Sequence, residues 1–354
     1  MSPRQRTTHP LSNRPPQRGQ RGAALLLAMT LLALVATLAA GMVWQQWRSV
    51  QVEAAERARS QSAWILAGAL DWTRLILRED ARSGAVDHPG EPWATPLAEA
   101  RLSSFLAADR DNNADNEVEA FLAGAITDAQ ARYNLRNLFA DDGRPVAAER
   151  EVLLRLCSAA GLGPETAQRL LAGLGQAWRA GHGGAGSGAA NPPGAGASAP
   201  APANATGEPA DDPERPLPVQ RFDHLAWLGL DTRTLAALRP LVDVLPARTP
   251  VNLNTASREV LAAVLSIDSG TAERLVQARQ RQPFEQLDQV RTQLPPGTPL
   301  EPARVSVGSS HFWVRGRLRL EDRVLEESSL VRRRGALEAQ PVQRLRRSLQ
   351  AGAD

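Results

Sequence analysis

Residues 21–47 read RGAALLLAMTLLALVATLAAGMVWQQW. From Ala23 to Trp44 the run is apolar, broken only by Thr30, Thr37 and Gly41. A helix rises 1.5 Å per residue, so about 20 such residues cross the ~30 Å hydrocarbon layer of a bilayer. Arg4, Arg6, Arg14, Arg18 and Arg21 precede the run, and the first acidic residue is Glu53. This one-sided arginine count keeps the N-terminus on the cytoplasmic face. Trp44 and Trp47 then fall at the opposite interface, where amphipathic rings prefer to lie.

Three fates are open to such a segment: a signal peptide cut after the run, a permanent anchor, or a short leader cut before it. Ala39-Ala40-Gly41 offers a small-residue site for the first, although the run exceeds the ~7–15 residues of a signal-peptide core. Downstream, Trp47, Val50, Ala54, Ala58, Gln61, Ile65, Gly68, Trp72 and Leu75 recur every three or four positions without a proline. The helix is therefore expected to continue out of the membrane. A cut near Ala40 would discard much of that element, whereas a cut between Gly22 and Ala23 would leave one helix, apolar first and amphipathic later.

The 354 residues suffice for two domains and an appended segment. The 41 basic residues are all arginine and are nearly matched by 38 acidic ones, a balance that gives little footing for a nucleic-acid partner. With Cys157 alone, an internal disulfide framework and a cysteine-based structural zinc site are both excluded. Cys157 shares a helix with Leu153, Leu154 and Leu156 and reads as a small buried hydrophobe.

Gly and Pro punctuate residues 80–100, which read as loop, with a short helix at 102–108 after them. An acidic patch follows: Asp109, Asp111, Asn113, Asp115, Asn116 and Glu117. Oxygen ligands at alternate positions suit calcium, yet an EF-hand register lacks its Gly at the sixth place and its Glu at the twelfth. Asp109, Asp111, Asn113 and Asp115 are the calcium candidates, weighed against a solvated loop. From Val118 to Leu138 the pattern gives a strand, a turn at Thr127-Asp128 and an extended exit.

Alanine- and leucine-rich helical sequence then carries a recurring turn. It appears at Gly161-Leu162-Gly163-Pro164-Glu165, at Gly229-Leu230-Asp231-Thr232 and at Ser266-Ile267-Asp268-Ser269-Gly270. Each leads into an amphipathic helix, so the three predict helix-turn-helix units in one helical domain. Between the first two, residues 180–218 are dominated by Gly, Ala, Pro and Ser, a composition that predicts a mobile loop at about 181–216. Residues 250–290 predict helices over Arg258 to Leu265 and Thr271 to Gln280, the first capped by Asn254 or Thr255. From Val305 to Arg334, Phe312, Val314, Leu318 and Leu320 alternate with Arg315, Arg317 and Arg319, the mark of a half-buried antiparallel hairpin turning at 321–323.

Together these motifs resemble the protein K family of type II secretion minor pseudopilins. Arg21-Gly22-Ala23-Ala24-Leu25 looks like a prepilin peptidase site, with the cut between Gly22 and Ala23. The fifth residue of the processed chain would be Leu27, where most pilin-like proteins place a glutamate and protein K subunits typically do not. Asp128, Tyr133, Asn134, Leu135 and Asn137 match the stretch with which the family leaves its first sheet, and Arg136 departs from it. Ser309-Ser310-His311-Phe312-Trp313-Val314 with Val331-Arg332-Arg333 resembles the family's C-terminal hairpin. The family binds calcium through acidic residues in the region that follows Trp178-Arg179, but residues 180–207 carry no carboxylate, and Glu208, Asp211, Asp212 and Glu214 come only later.

The resemblance implies an α+β fold: a long N-terminal transmembrane and amphipathic helix on an antiparallel pilin-like sheet, with an inserted all-helical domain of SAM or helix-hairpin-helix type. The expected division is a leader at 1–22, a membrane span at 23–44, and the first part of the pilin-like domain at 45–140. The inserted domain covers 141–300, and 301–354 supplies the closing hairpin and a tail. It further implies a tip subunit of the pseudopilus in the bacterial inner membrane, with the bulk of the chain in the periplasm. Implied partners are minor pseudopilins I and J, the prepilin peptidase, exported substrates and the secretin.

Neither an enzyme nor a nucleic-acid binder is the reading of these residues. His9, His88, His182, His224 and His311 lie far apart, without metal-ligand spacing or a nucleophile motif. The rival is a membrane-anchored helix-hairpin-helix protein of a competence-type system, which holds DNA phosphate on backbone N–H groups of a glycine turn. Asp268 and Glu165 put carboxylates at those turns.

Overall fold

The computed structural model describes residues 21–102, 120–182, 217–320 and 323–350. The calcium candidates Asp109, Asp111, Asn113 and Asp115, the short helix at 102–108 beyond its first residue, and nearly all of the 181–216 loop lie outside them. The chain divides into two units, Met1–Trp64 and Ile65–Asp354.

In the first unit, helix α1 (Arg21–Ser83, 63 residues) begins and presents its apolar side chains outward. Its two interrupting hydroxyls are satisfied within the helix: Thr30 Oγ1 donates to the Leu27 carbonyl and Thr37 Oγ1 to that of Leu34, each at 2.9 Å. Neither therefore leaves an open donor in an apolar surround. The helix continues through the second unit to Ser83 without interruption, as the periodicity required.

In the second unit a five-stranded antiparallel sheet runs in the order β1 (Leu97–Arg101), β2 (Ala120–Asp128), β7 (His311–Leu320), β8 (Arg323–Arg334) and β9 (Glu338–Gln350). One face of this sheet receives the end of α1. Leu70, Leu77, Trp93, Phe312, Val314, Val331 and Ala339 form its core, with the Trp93 ring edge-on to Phe312 at 5.2 Å. Two features differ from expectation. Residues 97–101 pair with β2 although Gly and Pro mark that region as loop, and the expected tail forms β9 against β8. Both are edge strands, whose pairing is set by the neighbouring strand rather than by their own weak alternation.

Strand β2 pairs with β7, Asp128 opposite Phe312, so the chain leaves the sheet after Asp128 and returns beside it. The excursion holds α2 (Ala147–Ala159), α3 (Pro164–His182), α4 (Thr232–Leu238), α5 (Arg258–Leu265), α6 (Ser269–Arg281) and α7 (Leu287–Arg291). Its hydrophobic core extends from Tyr133 to Val305, wider at both ends than 141–300. Cys157 is buried within it. The lobe is not purely helical: β3 (Tyr133–Asn134) pairs in parallel with β4 (Val242–Asp243), and β5 (Val251–Asn252) with β6 (Val305–Ser306). Two-residue strands are too short for a period-two signal to register. Helix α5 is capped by Ser257 rather than by Asn254 or Thr255. Asn254 is instead buried, bonding the backbone of Phe284 through both side-chain atoms.

Candidate functional site

The chemistry-bearing side chains of the second unit converge where the excursion leaves and rejoins the sheet. Asp128 ends β2, and its carboxylate accepts from Gln130 N (2.8 Å), Asn252 Nδ2 (2.9 Å), Thr255 Oγ1 (2.5 Å) and Ser309 Oγ (2.6 Å). Burial pushes its pKa upward, and these four donors oppose that shift. Asn252 also donates to the Asp87 carbonyl at 3.0 Å. One polar knot thus links the segment after α1, the end of β2, the end of β5 and the approach to β7.

Asp87 completes the knot. Both of its carboxylate oxygens accept from Arg333 Nη2 at 2.6 Å, and Oδ2 also accepts from Ser309 N at 2.7 Å. Burial nevertheless pushes this carboxyl up to about 7 against the pull of the guanidinium. Arg333 Nη1 reaches Asp80 at 2.6 Å, and its guanidinium lies over the Phe312 ring. Asp80, Asp87 and Glu91 lie close enough to share a cation. Each is held by the protein itself: Arg333 binds Asp80 Oδ2 and both oxygens of Asp87, and Glu91 Oε2 accepts from Trp93 Nε1 and His88 N. What the contacts build here is an arginine clasp.

The sequence motif at 128–137 acts as a lacing strip. Asn134 Nδ2 donates to the Ala247 carbonyl (2.7 Å), while its Oδ1 accepts from Leu245 N (3.1 Å). Asn137 holds both backbone groups of Thr249, and Tyr133 donates from its hydroxyl to Glu149 Oε2 at 2.8 Å. Arg136, which departs from the motif, stacks its guanidinium over the Trp178 ring. The two asparagines bind backbone, while Tyr133 and Arg136 bind the side chains of Glu149 and Trp178. Asp87, Asn252 and Arg333 carried no sequence signal as partners, because each needs the tertiary fold to meet the others.

His311 is buried, with its Nε2 enclosed and unpartnered. Burial, and secondarily Arg332, lower its pKa to about 4.

The two turns that could hold DNA phosphate are occupied by the protein's own groups. At the first, the Glu165 carboxylate folds so closely over Gly163 that a Cβ there would collide with it. At the second, Asp268 accepts from Thr271 N (3.0 Å) and Thr271 Oγ1 (2.6 Å) at the start of α6. Arg155 meanwhile is taken up by Ser266 Oγ and the Ala263 carbonyl. An anion approaching either turn meets a carboxylate where the helix N–H groups would have to serve it.

The N-terminal helix offers a different kind of surface. Leu25, Leu26, Leu27, Leu31, Leu34 and Leu38 are all exposed, and none of the most apolar stretch is buried by protein. Such a continuous apolar exposure requires a lipid or protein surround.

Comparison with known proteins gives one consistent answer. The sequence models described as type II secretion system (T2SS), protein K, match residues 131–247 and 251–308. Type II secretion system protein K of Pseudomonas aeruginosa is 30% identical over 318 residues, 87% of each chain. That of Klebsiella pneumoniae is 30% identical over 159 residues, 44% of each chain. Among solved structures, a chain of the GspK–GspI–GspJ complex from the type 2 secretion system of enterotoxigenic Escherichia coli shares the fold. Its TM-score is 0.56 at 19% identity, covering 83% of this chain and 98% of that one.

Proposed function

This chain belongs to the type II secretion system protein K family of minor pseudopilins, and from that premise we propose that it occupies the tip of the pseudopilus. There it starts filament assembly together with minor pseudopilins I and J and supports export across the outer membrane. The observation that carries this reading is the exposed apolar start of α1 on a chain whose pilin-like sheet bears an inserted lobe. The lobe adds bulk that a stack of equivalent subunits would have to accommodate at every repeat. A tip position removes that demand.

In this reading the prepilin peptidase cuts between Gly22 and Ala23, and α1 from Ala23 holds the subunit in the inner membrane as a single span. The bulk of the chain then lies in the periplasm, where it meets exported substrates and the secretin. Leu27 fits the same position: the glutamate usual at the fifth processed residue neutralises the terminal amine of a neighbour, and a tip subunit has no neighbour to serve. The protein acts through surfaces and performs no chemistry itself. The relative solved in complex with GspI and GspJ supports pseudopilins I and J as partners of this chain.

The test is the intact mass of the protein purified from its host's membranes. A chain beginning at Ala23 is expected. One beginning near Gly41 means a secreted protein, and an uncut chain means a simple anchor; either removes the pseudopilin mechanism.

A further inference from the structure

His311 opens β7 at the seam between the sheet and the entrance of the inserted lobe. Two residues on, Trp313 packs with Leu330 against Ala129 and Leu245, so the seam has an apolar floor. A chain of hydrogen bonds crosses it. Gln130 Oε1 accepts from Ser310 N at 2.7 Å and from Ser310 Oγ at 2.9 Å, and Gln130 Nε2 donates to the Pro250 carbonyl at 2.9 Å. Ser310 Oγ in turn lies 2.9 Å from His311 Nδ1.

These partners decide which imidazole nitrogen carries the hydrogen. A backbone N–H only donates and a carbonyl only accepts, so the Gln130 amide has one orientation, Oε1 toward Ser310 and Nε2 toward Pro250. The single hydroxyl hydrogen of Ser310 goes to that Oε1. Only lone pairs of Oγ are left for His311, so Nδ1 donates, and in a neutral ring Nε2 is then bare. Nε2 is enclosed and has no partner. A bare nitrogen is tolerable there, whereas a charged N–H would be a buried donor with nothing to accept from it.

The neighbouring charges give such a proton no relief. Arg332, paired with His311 across β7 and β8, is of like sign. Asp128 at the end of β2 is filled by its own four donors, and Asp243 of β4 is held by Trp313 and Arg132. Arg333 and Asp87 engage each other, with Arg333 over the Phe312 ring.

We propose that His311 is an acid-sensitive latch: neutral, it closes the chain through Ser310 and Gln130 to Pro250, and a proton taken from solvent at Nε2 releases this seam of the lobe. The proton is accepted as the seam opens, because only water then offers Nε2–H an acceptor. Burial and Arg332 lower the pKa to about 4 in the closed chain from an ordinary 6.5, so the latch is shut at neutral pH. Its hold is lost as pH falls through that window, where the open form binds the proton and the closed form does not.

The test is hydrogen–deuterium exchange of the full chain in detergent micelles at about pH 7 and about pH 4.5, read on peptides and corrected for the intrinsic pH dependence of exchange. Peptides covering 126–134 and 305–313 should lose about fiftyfold more protection in the native chain than in His311→Gln. Those covering the α5–α6 pair should keep theirs. Arg332→Gln removes the like charge and should blunt the acid response, which supplies a second comparison should His311→Gln not fold. Unchanged protection at the seam, an equal loss in the variants and the native chain, or an equal loss over α5–α6, the mark of global unfolding, would each overturn the proposal.

Discussion

Arg333 on β8 grips both carboxylate oxygens of Asp87 with one nitrogen, 2.6 Å to each, across 246 residues of sequence. The pair ties the segment leaving α1 to the strand that closes the sheet. Ser309, whose N–H bonds Asp87 and whose hydroxyl bonds Asp128, carries the same tie into the entrance of the inserted lobe. Position of the lobe on the sheet is thereby fixed by buried polar contacts at the point where the chain crosses over.

Arg333→Met keeps much of the side-chain volume but leaves Asp87 buried without its cation. Loss of one partner of a buried pair costs about 3–5 kcal/mol. The low end is expected, because a carboxyl already pushed up to about 7 can take a proton instead. Chemical unfolding of the full chain in detergent measures this, and a change below about 1 kcal/mol, the scale of an exposed pair, would refute the clasp.

Gly308→Ala tests how tightly the same corner is closed. A Cβ at Gly308 would collide with the backbone carbonyl of Ala85, which no side-chain rotation relieves. A loss of about 1–3 kcal/mol is expected, as in other overpacked sites. Gly229→Ala, where a Cβ meets open space, separates this collision from backbone strain at its φ of +74°. Equal stability of Gly308→Ala and the native chain would show that the corner is loose.

His311 supplies a pH dependence. Its pKa is about 4 in the folded chain against an ordinary 6.5, so the unfolded chain binds more protons between those values. The histidine's contribution is present above pH 6.5 and is lost as pH falls toward 4, up to about 3 kcal/mol. Asp87 acts with the opposite sign: raised from 3.8 to about 7, its contribution is present below pH 3.8 and is lost as pH rises through 7. The two partly cancel in the native chain, so the informative measurement is the difference from His311→Gln. Native protein should lose more stability than the variant between pH 6.5 and 4, and parallel curves would remove His311 from the account.

Leu27→Glu examines the tip reading. Leu27 is exposed on the apolar part of α1, and a carboxylate there without a partner amine costs on the order of several kcal/mol. Cleavage by the peptidase should persist, as judged by intact mass, while secretion and recovery of a complex with pseudopilins I and J decline. Normal secretion would detach Leu27 from the tip position.

Much of this fold was legible in local patterns. The apolar run and its three-to-four spacing give α1, the alternation of Phe312, Val314 and Leu318 with arginines gives β7, and the turn at Ser266-Ile267-Asp268 gives the α5–α6 pair. These features are set by neighbours within a few residues, which is why a one-dimensional reading finds them. The edge strands β1 and β9 were not legible, nor were the two-residue strands that brace the inserted lobe. Their pairing is decided by strands far away in the chain.

By itself the sequence determined an N-terminal apolar helix, a helical insertion and a closing hairpin, because hydrophobic periodicity and turn chemistry are local. Only the tertiary structure decided that Asp87, Asp128, Asn252, Ser309 and Arg333 share one knot, and that His311 meets Gln130 through Ser310. A buried charge is tolerable only where donors from other segments meet it, and those donors are chosen by the fold, not by spacing along the chain.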